Sequence, residues 1–275
     1  MRLELHCHST CSDGSLAPEE VAAQAGSYGV ELFCLTDHDT MVGYERTREA
    51  LPQARVLRGL ELSCKHRGRT IHLLTWGVEE GPGCEALERR LLEVRDLRRE
   101  RLLAICERLA TLGVHLDADA ILAQTEHSTP GRPDVAKALV AAGVCTSMRE
   151  AFDRYLHDDG PAYVSVDGVT LEEGLALGRA AGARMGLAHP QTLRHHALVR
   201  ELFQELREAG LEGIEAYYGG VSPAKAQPWL RLADELGLVV TGGSDFHGDA
   251  VPHVSAPGID LPARHSDRLR AWLGM

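Results

Sequence analysis

A chain of 275 residues, 44% hydrophobic and 25% charged with 28 glycines, is long enough to bury one large α/β core or two ordinary ones. Its formal charge of −11 argues against wrapping long nucleic acid, which requires many lysines and arginines to displace counterions; a small anionic substrate is compatible with it where bound cations reverse the local field. No stretch approaches about 18 uninterrupted apolar residues and no basic segment leads an apolar one at the N-terminus, so neither a membrane span nor a signal peptide is expected and the reading is cytoplasmic.

In chain order, strand-like runs are "RLELHC" ending at Cys7, "ELFCLT" at Thr36, "VLRGLEL" at Leu62 and "TIHLLTW" at Trp76. Three more follow: "ARMGLA" to Ala188, "GIEAYY" to Tyr218 and "LVVT" to Thr241. Helix-period stretches separate most of them: "PEEVAAQAGSYG", with Pro18 in a first-turn position, "GYERTREAL", "LEEGLALGRAAG", "HHALVRELFQELREAG" and "SPAKAQPWLRLADELG". Such alternation predicts parallel strands with crossover helices. Between Gly77 and Pro161 it stops. There "CEALERRLLEVRDLRRERLLAICERLATLG" reads as a long amphipathic helix, its charge run "RRERLL" a solvated face, followed by shorter helical pieces at 117–124, 132–142 and 147–156. The reading is one barrel-like α/β domain, residues 1–80 and 160–275, with a helical insertion over 81–159. The seven cysteines are scattered and never spaced CxxC, as reduced buried thiols would be.

Histidines and carboxylates gather where the strand runs end. Side chains at i and i+2 of a strand share a face, so His6 and His8 of "LELHCHSTCSDGS" point one way and Cys7 the other, with Asp13 five residues on. "LTDHDT" adds Asp37, His38 and Asp39; Glu61 ends the third run, His72 lies in the fourth, "LAHP" supplies His189, and "TGGSDFHG" supplies Asp245 and His247. In a parallel barrel the C-terminal strand ends form one rim, where active sites are built. Six imidazoles and three carboxylates crowded there leave like charges and buried polar groups unpaired unless divalent cations bind among them. A mixed imidazole and carboxylate set without thiolate suits Mn, Fe or Zn rather than Ca, Mg or a structural zinc finger. Nine ligands exceed what one ion uses and imply two or three, the device that generates hydroxide and stabilises both oxygens of an in-line displacement at phosphorus. Asp37 and Asp39 read as partners of ligands or loop caps, and Glu215, on the same rim, is left without a role.

The motifs "HCHSTCSDG", "LTDHDT", "GLELS", "LAHP" and "GGSDFHG", in this order over nearly the whole chain, resemble the PHP (polymerase and histidinol phosphatase) family of the amidohydrolase superfamily. The resemblance implies a distorted seven-stranded (β/α)7 barrel with a trinuclear centre, in agreement with the seven runs above. Carried over motif by motif, it implies one metal held by His6, His8, Glu61 and Asp245, a second sharing Glu61 and adding His72 and His189, and a third held by Asp13, His38 and His247. Some relatives place a histidine where Asp13 stands. Glu61, Asp245 and His189 are also marked as catalytic, and manganese is the expected ion, with iron and zinc as alternatives.

Within the family, "GRPDVAKALVAAG", "AFDRYLHDDGPAYV" and "GIEAYYGGVSPAKA" resemble the 3′,5′-nucleotide bisphosphate phosphatases and the related oligoribonuclease-type exoribonucleases. The expected reaction is removal of the 3′-phosphate from nucleoside 3′,5′-bisphosphates; stepwise hydrolysis of short RNA from its 5′ end and histidinol phosphatase activity are the alternatives. A non-catalytic module of the kind attached to DNA polymerases would have lost ligands that this chain keeps. Arg132, Arg194 and Lys225 offer phosphate contacts, against the alternative of surface ion pairing, and His195 and His196 open a helix whose N-terminus attracts anions. The expected partners are a small nucleotide and short RNA, with neither long nucleic acid nor a membrane.

Overall fold

The computed structural model describes residues 1–125, 128–165, 168–219 and 221–275, so Gly220 of "GIEAYYGGVSPAKA" lies outside the described residues. The chain divides into two compact units, Met1–Arg90 with Val169–Met275, and Leu91–Gly168. The first unit opens with β1 (Arg2–Glu4), α1 (Pro18–Ser27), β2 (Leu32–Cys34), α2 (Tyr44–Ala50), β3 (Arg55–Leu57), β4 (Gly59–His66) and β5 (Arg69–Trp76). The helix α3 (Pro82–Thr111) begins in it and carries the chain into the second unit, which holds α4 (Ala118–Gln124), α5 (Arg132–Ala141) and α6 (Met148–Ala151). The first unit resumes with β6 (Val169–Thr170), α7 (Leu171–Ala180), β7 (Arg184–Leu187), α8 (His196–Leu206), β8 (Leu211–Tyr218), α9 (Pro223–Leu236), β9 (Val239–Gly243), β10 (Ile259–Asp260) and α10 (Ala263–Trp272).

The strands of the first unit form two mixed sheets, in the orders β10-β1-β2-β3 and β6-β4-β5-β7-β8-β9. Parallel pairing of β1 with β2, β2 with β3, β7 with β8 and β8 with β9 follows from the intervening helices. Two elements depart from the parallel expectation, since β5 runs antiparallel to both β4 and β7, and β10 antiparallel to β1. The cause of the first is local. Arg67 and Gly68, at φ 48° and 77°, make a two-residue turn between His66 and Arg69, the geometry that closes a hairpin and leaves no length for a crossover helix. The run "VLRGLEL" is likewise two strands in different sheets. The chain passes between them at Gly59, where a Cβ would stand 2.1 Å from the Thr75 carbonyl oxygen. Glu61 is therefore the third residue of β4 rather than a strand end, and His72 lies inside β5.

Where the two sheets meet, isolated parallel bridges link Cys7 to Phe246 and His38 to Glu61. These bridges tie together the segments that carry the candidate residues. The core beneath is fully buried Leu3, Leu5, Leu32, Phe33, Leu60, Leu62, Leu73, Leu74 and Trp76, each such side chain contributing roughly 1.5–3 kcal/mol on burial. Trp76 Nε1 donates to the Leu5 carbonyl at 2.9 Å, so the largest core side chain leaves no polar atom unpaired. The second unit has its own core, in which Leu102, Ile105 and Leu109 of α3 pack with Ile121 and Leu122 of α4 and Val135, Ala136 and Leu139 of α5. The i, i+3, i+7 spacing within α3 is the stripe of an amphipathic helix. Among the described residues no helix is long and apolar enough to cross a membrane.

Candidate metal centre

Beyond β1 the chain bends at His6, and main-chain hydrogen bonds hold it through His8. The Asp245 N–H donates to the His6 carbonyl (2.7 Å), the His8 N–H to that of Phe246 (2.8 Å), and the Thr36 N–H to that of Cys7 (3.0 Å). Two-residue periodicity then does what the sequence implied: Cys7 enters a core cluster with Val21, Phe33 and Leu35, while His6 and His8, both fully buried, face the other way.

Glu61 stands at the centre of what they face. Its Oε2 lies 3.3 Å from His6 Nε2, 3.2 Å from His8 Nε2 and 3.0 Å from His38 Nδ1; its Oε1 lies 2.8 Å from His72 Nδ1 and 3.0 Å from His189 Nε2. Asp245 Oδ1 is 3.2 Å from both His6 Nε2 and His8 Nε2 and 3.6 Å from His247 Nδ1, and its Oδ2 accepts the Tyr218 hydroxyl at 2.5 Å. Asp13 closes the far side, with Oδ1 3.4 Å from His247 Nε2 and 3.6 Å from His8 Nδ1, and Oδ2 3.8 Å from His38 Nε2. The rings of His8 and His247 stack at 4.1 Å. Asp39, His189 and Asp245 all take positive φ, a backbone strain of about 1–3 kcal/mol each that the surrounding contacts hold in place.

Among the described residues, three groups of atoms are close enough to share an ion: His8, Asp13, His38 and His247; His6, His8 and Glu61; and His38, Glu61 and His72. The donor chemistry fits a metal. His6 Nε2, His8 Nε2 and His38 Nδ1 are buried without a hydrogen-bond partner among the described residues, yet each stands within 3.3 Å of one carboxylate oxygen. Lone pairs converging on a shared carboxylate make a coordination shell rather than a hydrogen-bond network.

Protein charges alone set this cluster against itself. Burial pulls the His6 and His8 imidazoles down, but Glu215, Asp245 and Glu61 carry His6 well above its ordinary value, and Asp245, Glu61 and Asp13 carry His8 to about 10. His38, whose burial outweighs Glu61 and Asp13, falls to about 4. Burial pushes Glu61 and Asp245 up, yet the imidazoles around them hold both well below the usual carboxylate range. With protein atoms only, two imidazoles therefore keep protons at neutral pH, in positions where a divalent cation can replace them.

The structure also places the residues that support this cluster. Asp37 accepts from the Ser9 N–H (2.7 Å), the Ser9 hydroxyl (2.6 Å) and the Ser12 hydroxyl (2.6 Å), which fixes the loop leading to Asp13. Asp39 accepts the Ser63 N–H at 2.7 Å. Glu4, fully buried, receives the N–H groups of His6, Ser244 and Gly258 and the Ser244 hydroxyl; burial nevertheless lifts it to about 7. Glu4 and Tyr218 escaped the sequence reading as site residues, whereas Glu215 was placed on the rim without a role. For Glu4 the signal was present, since it precedes His6 and His8 at the same two-residue spacing. The residues expected to meet substrate are less gathered. Arg194, His196 and Lys225 are exposed on the first unit, with the His196 ring stacked on Trp229 at 5.2 Å. Arg132 belongs to the second unit, where its Nη1 donates to the Leu156 carbonyl (2.9 Å) and to Asp158 (2.7 Å).

Known proteins resemble this chain along most of its length. Residues 4–113, which span His6, His8, Asp13, His38, Glu61 and His72, match the PHP domain. A 3′,5′-nucleoside bisphosphate phosphatase of Chromobacterium violaceum is 31% identical over 89% of this chain and 87% of its own. A 5′-3′ exoribonuclease of Haemophilus influenzae is 31% identical over 90% of each, and a phosphoribosyl 1,2-cyclic phosphate 1,2-diphosphodiesterase of Eggerthella lenta is 34% identical over 94% of this chain and 99% of its own. The solved structure of an amidohydrolase from Chromobacterium violaceum, with bound sulfate, superposes with a TM-score of 0.86 at 30% identity, covering 98% of this chain and 96% of that one. With relatives at this identity along nearly its full length, and with the clustered histidines and carboxylates where the motifs put them, the chain belongs to the PHP family.

Proposed function

We propose that this chain is a metal-dependent phosphatase that removes the 3′-phosphate from nucleoside 3′,5′-bisphosphates, giving a nucleoside 5′-monophosphate and phosphate. At the coarser level it is a phosphoric ester hydrolase, as its relatives are. The observation that carries the reading is how Glu61 divides its oxygens, one toward His6, His8 and His38 and the other toward His72 and His189. A carboxylate so divided suits two cations.

In this reading His6, His8, Glu61 and Asp245 hold one ion, Glu61, His72 and His189 a second, and Asp13, His38 and His247 a third. Manganese is the ion we favour, and iron and zinc suit the same donors. Divalent ions bound there supply positive charge to phosphoryl oxygens and lower the pKa of water. The chain's own part is orientation. Tyr218 donates to Asp245 Oδ2 and leaves Oδ1 turned to His6 and His8, while Asp37 holds the loop of Asp13. A bisphosphate carries two anionic groups, of which the cluster takes the one being cleaved; Arg132, Arg194, His196 and Lys225 are the candidates for the other. We also read the two bridged sheets as arcs of a seven-stranded barrel, and the protein as cytoplasmic.

A second reading, hydrolysis of a phosphodiester, is favoured by the exoribonuclease and diphosphodiesterase relatives, since attack at phosphorus is common to both ester classes. A panel with Mn²⁺ separates them: adenosine 3′,5′-bisphosphate, a nucleoside 3′-monophosphate, a 5′-labelled short RNA, phosphoribosyl 1,2-cyclic phosphate and histidinol phosphate. The proposal expects the highest kcat/KM on the bisphosphate, with adenosine 5′-monophosphate as product. Preference for the 3′-monophosphate or for either diester would overturn it.

A further inference from the structure

Glu215 is a buried carboxylate on this rim to which the reaction above assigns no part. It stands in β8, fully buried, and both of its oxygens are engaged. Oε1 lies 2.9 Å from His6 Nδ1, and Oε2 accepts the His189 N–H at 2.7 Å. Two segments 183 residues apart in sequence are therefore held by one side chain from a third, as the separations of 209 and 26 residues from Glu215 give.

Each contact has a chemical consequence. An imidazole offers a lone pair on one nitrogen when the other carries the proton, and a carboxylate at Nδ1 keeps the proton there. The freed atom is His6 Nε2, which is buried without a hydrogen-bond partner among the described residues and lies 3.3 Å from Glu61 Oε2 and 3.2 Å from Asp245 Oδ1. At His189 the backbone takes φ 26° and ψ 61°, a conformation an L residue keeps only when its surroundings impose it. The N–H held by Glu215 is such a constraint, and it sets the turn from which His189 Nε2 reaches Glu61 Oε1 at 3.0 Å. The two oriented imidazoles thus address opposite oxygens of Glu61. Both oxygens of Glu215 face donors, and Glu215 belongs to none of the three groups of atoms, among the described residues, that are close enough to share an ion.

We propose that Glu215 is a positioning residue for the metal centre: it fixes His6 as an Nε2 ligand and holds the His189 turn, without itself binding an ion. This rests on the metal-dependent reading above, and its test reads metal binding and histidine tautomers rather than turnover. Glu215→Gln keeps the shape, but the amide oxygen meets one donor while the amide N–H groups confront the other. Leu109→Ala, in the core of the second unit, serves as a destabilised control away from the rim. Chelator competition with Zn²⁺ and ¹⁵N spectra of the histidine rings are recorded for wild type and both variants. Wild type should show His6 protonated at Nδ1 and bound through Nε2, Glu215→Gln should bind Zn²⁺ roughly 10- to 100-fold more weakly with an altered His6 signature, and Leu109→Ala should change neither. Should Glu215→Gln fail to fold, Glu215→Asp, one methylene short of spanning both donors, is read by the same measurements. Zn²⁺ affinity within twofold of wild type, an unchanged His6 signature, or coordination of His6 through Nδ1 in wild type would overturn the assignment while leaving the metal-dependent reading intact. Wild type that binds no Zn²⁺ or Mn²⁺ would overturn both.

Discussion

Replacing Gly243 by alanine puts a methyl group into the seam that carries His6. Gly243 ends β9, and a Cβ there would stand 2.4 Å from His6 Cβ, 2.5 Å from its nitrogen and 2.8 Å from its Cα, where ordinary contact begins at 3.4 Å. The obstacle is mostly backbone, so no rotamer change relieves it, and the two segments must part by about 1 Å. Main-chain bonds at 2.7 Å from Asp245 to His6 and at 2.8 Å from His8 to Phe246 resist that parting. Overpacking of this kind costs roughly 1–3 kcal/mol, which for a chain of this size lowers Tm by roughly 2–12 °C. Function should suffer more than stability, because a displacement near 1 Å at an orienting side chain costs about 100-fold in rate. Differential scanning fluorimetry, metal content and kcat/KM on a 3′,5′-bisphosphate, measured together on Gly243→Ala, give the answer. Wild-type Tm and turnover would refute the argument that close approach at Gly243 sets the position of His6.

Four further outcomes are expected. Glu61→Gln removes the shared carboxylate while leaving the core intact, so the protein should fold, carry less metal than wild type by elemental analysis and release no phosphate; near-normal turnover would rule out a bridging role. Since His6 and His8 hold protons that an ion must displace, Mn²⁺ affinity should strengthen as pH rises from 6 toward about 10, by up to tenfold per unit for each proton released, and calorimetry in buffers of different ionisation enthalpy should register that release. The metal-free protein carries the opposite linkage: the stability contributed by these two raised imidazoles is fully present below about 6.5 and is lost as pH rises through their folded values, about 10 for His8, which chelator-treated unfolding curves at several pH values would reveal. Arg194→Ala, at an exposed position, should leave Tm within about 1–2 °C but weaken kcat/KM on a 3′,5′-bisphosphate by roughly 2 kcal/mol or more, about 30-fold, and far less on a small monophosphate; equal losses on both would assign the arginine to the cleaved phosphate instead.

How much of this was legible follows from which signals are local. The shared face of His6 and His8 is a consequence of strand periodicity, and the clustering of His38, His72, His189, Asp245 and His247 follows from strands that end or pass on one rim. The antiparallel β5 was hidden because its cause is the positive φ of Arg67 and Gly68, a backbone property that "HRGR" suggests only weakly when both flanking runs read as strands in a βα alternation. Glu4, and the role of Glu215 on the rim, were hidden for a different reason. The partners of a charged strand residue are set by tertiary structure, and only that arrangement reveals that Glu4 meets four donors and Glu215 two. Arg132 shows the limit of composition: its charge was evident, whereas its bonds to Leu156 and Asp158 depend on how the second unit folds.

The central claim is that nine convergent side chains work through bound ions on a phosphate ester. The most direct measurement titrates Mn²⁺ into chelator-treated protein, following phosphate release from adenosine 3′,5′-bisphosphate and metal content per chain in the same samples. Activity should be absent without metal and should rise to its plateau only as two to three ions bind. Full activity at one ion per chain, or with none, would contradict the account.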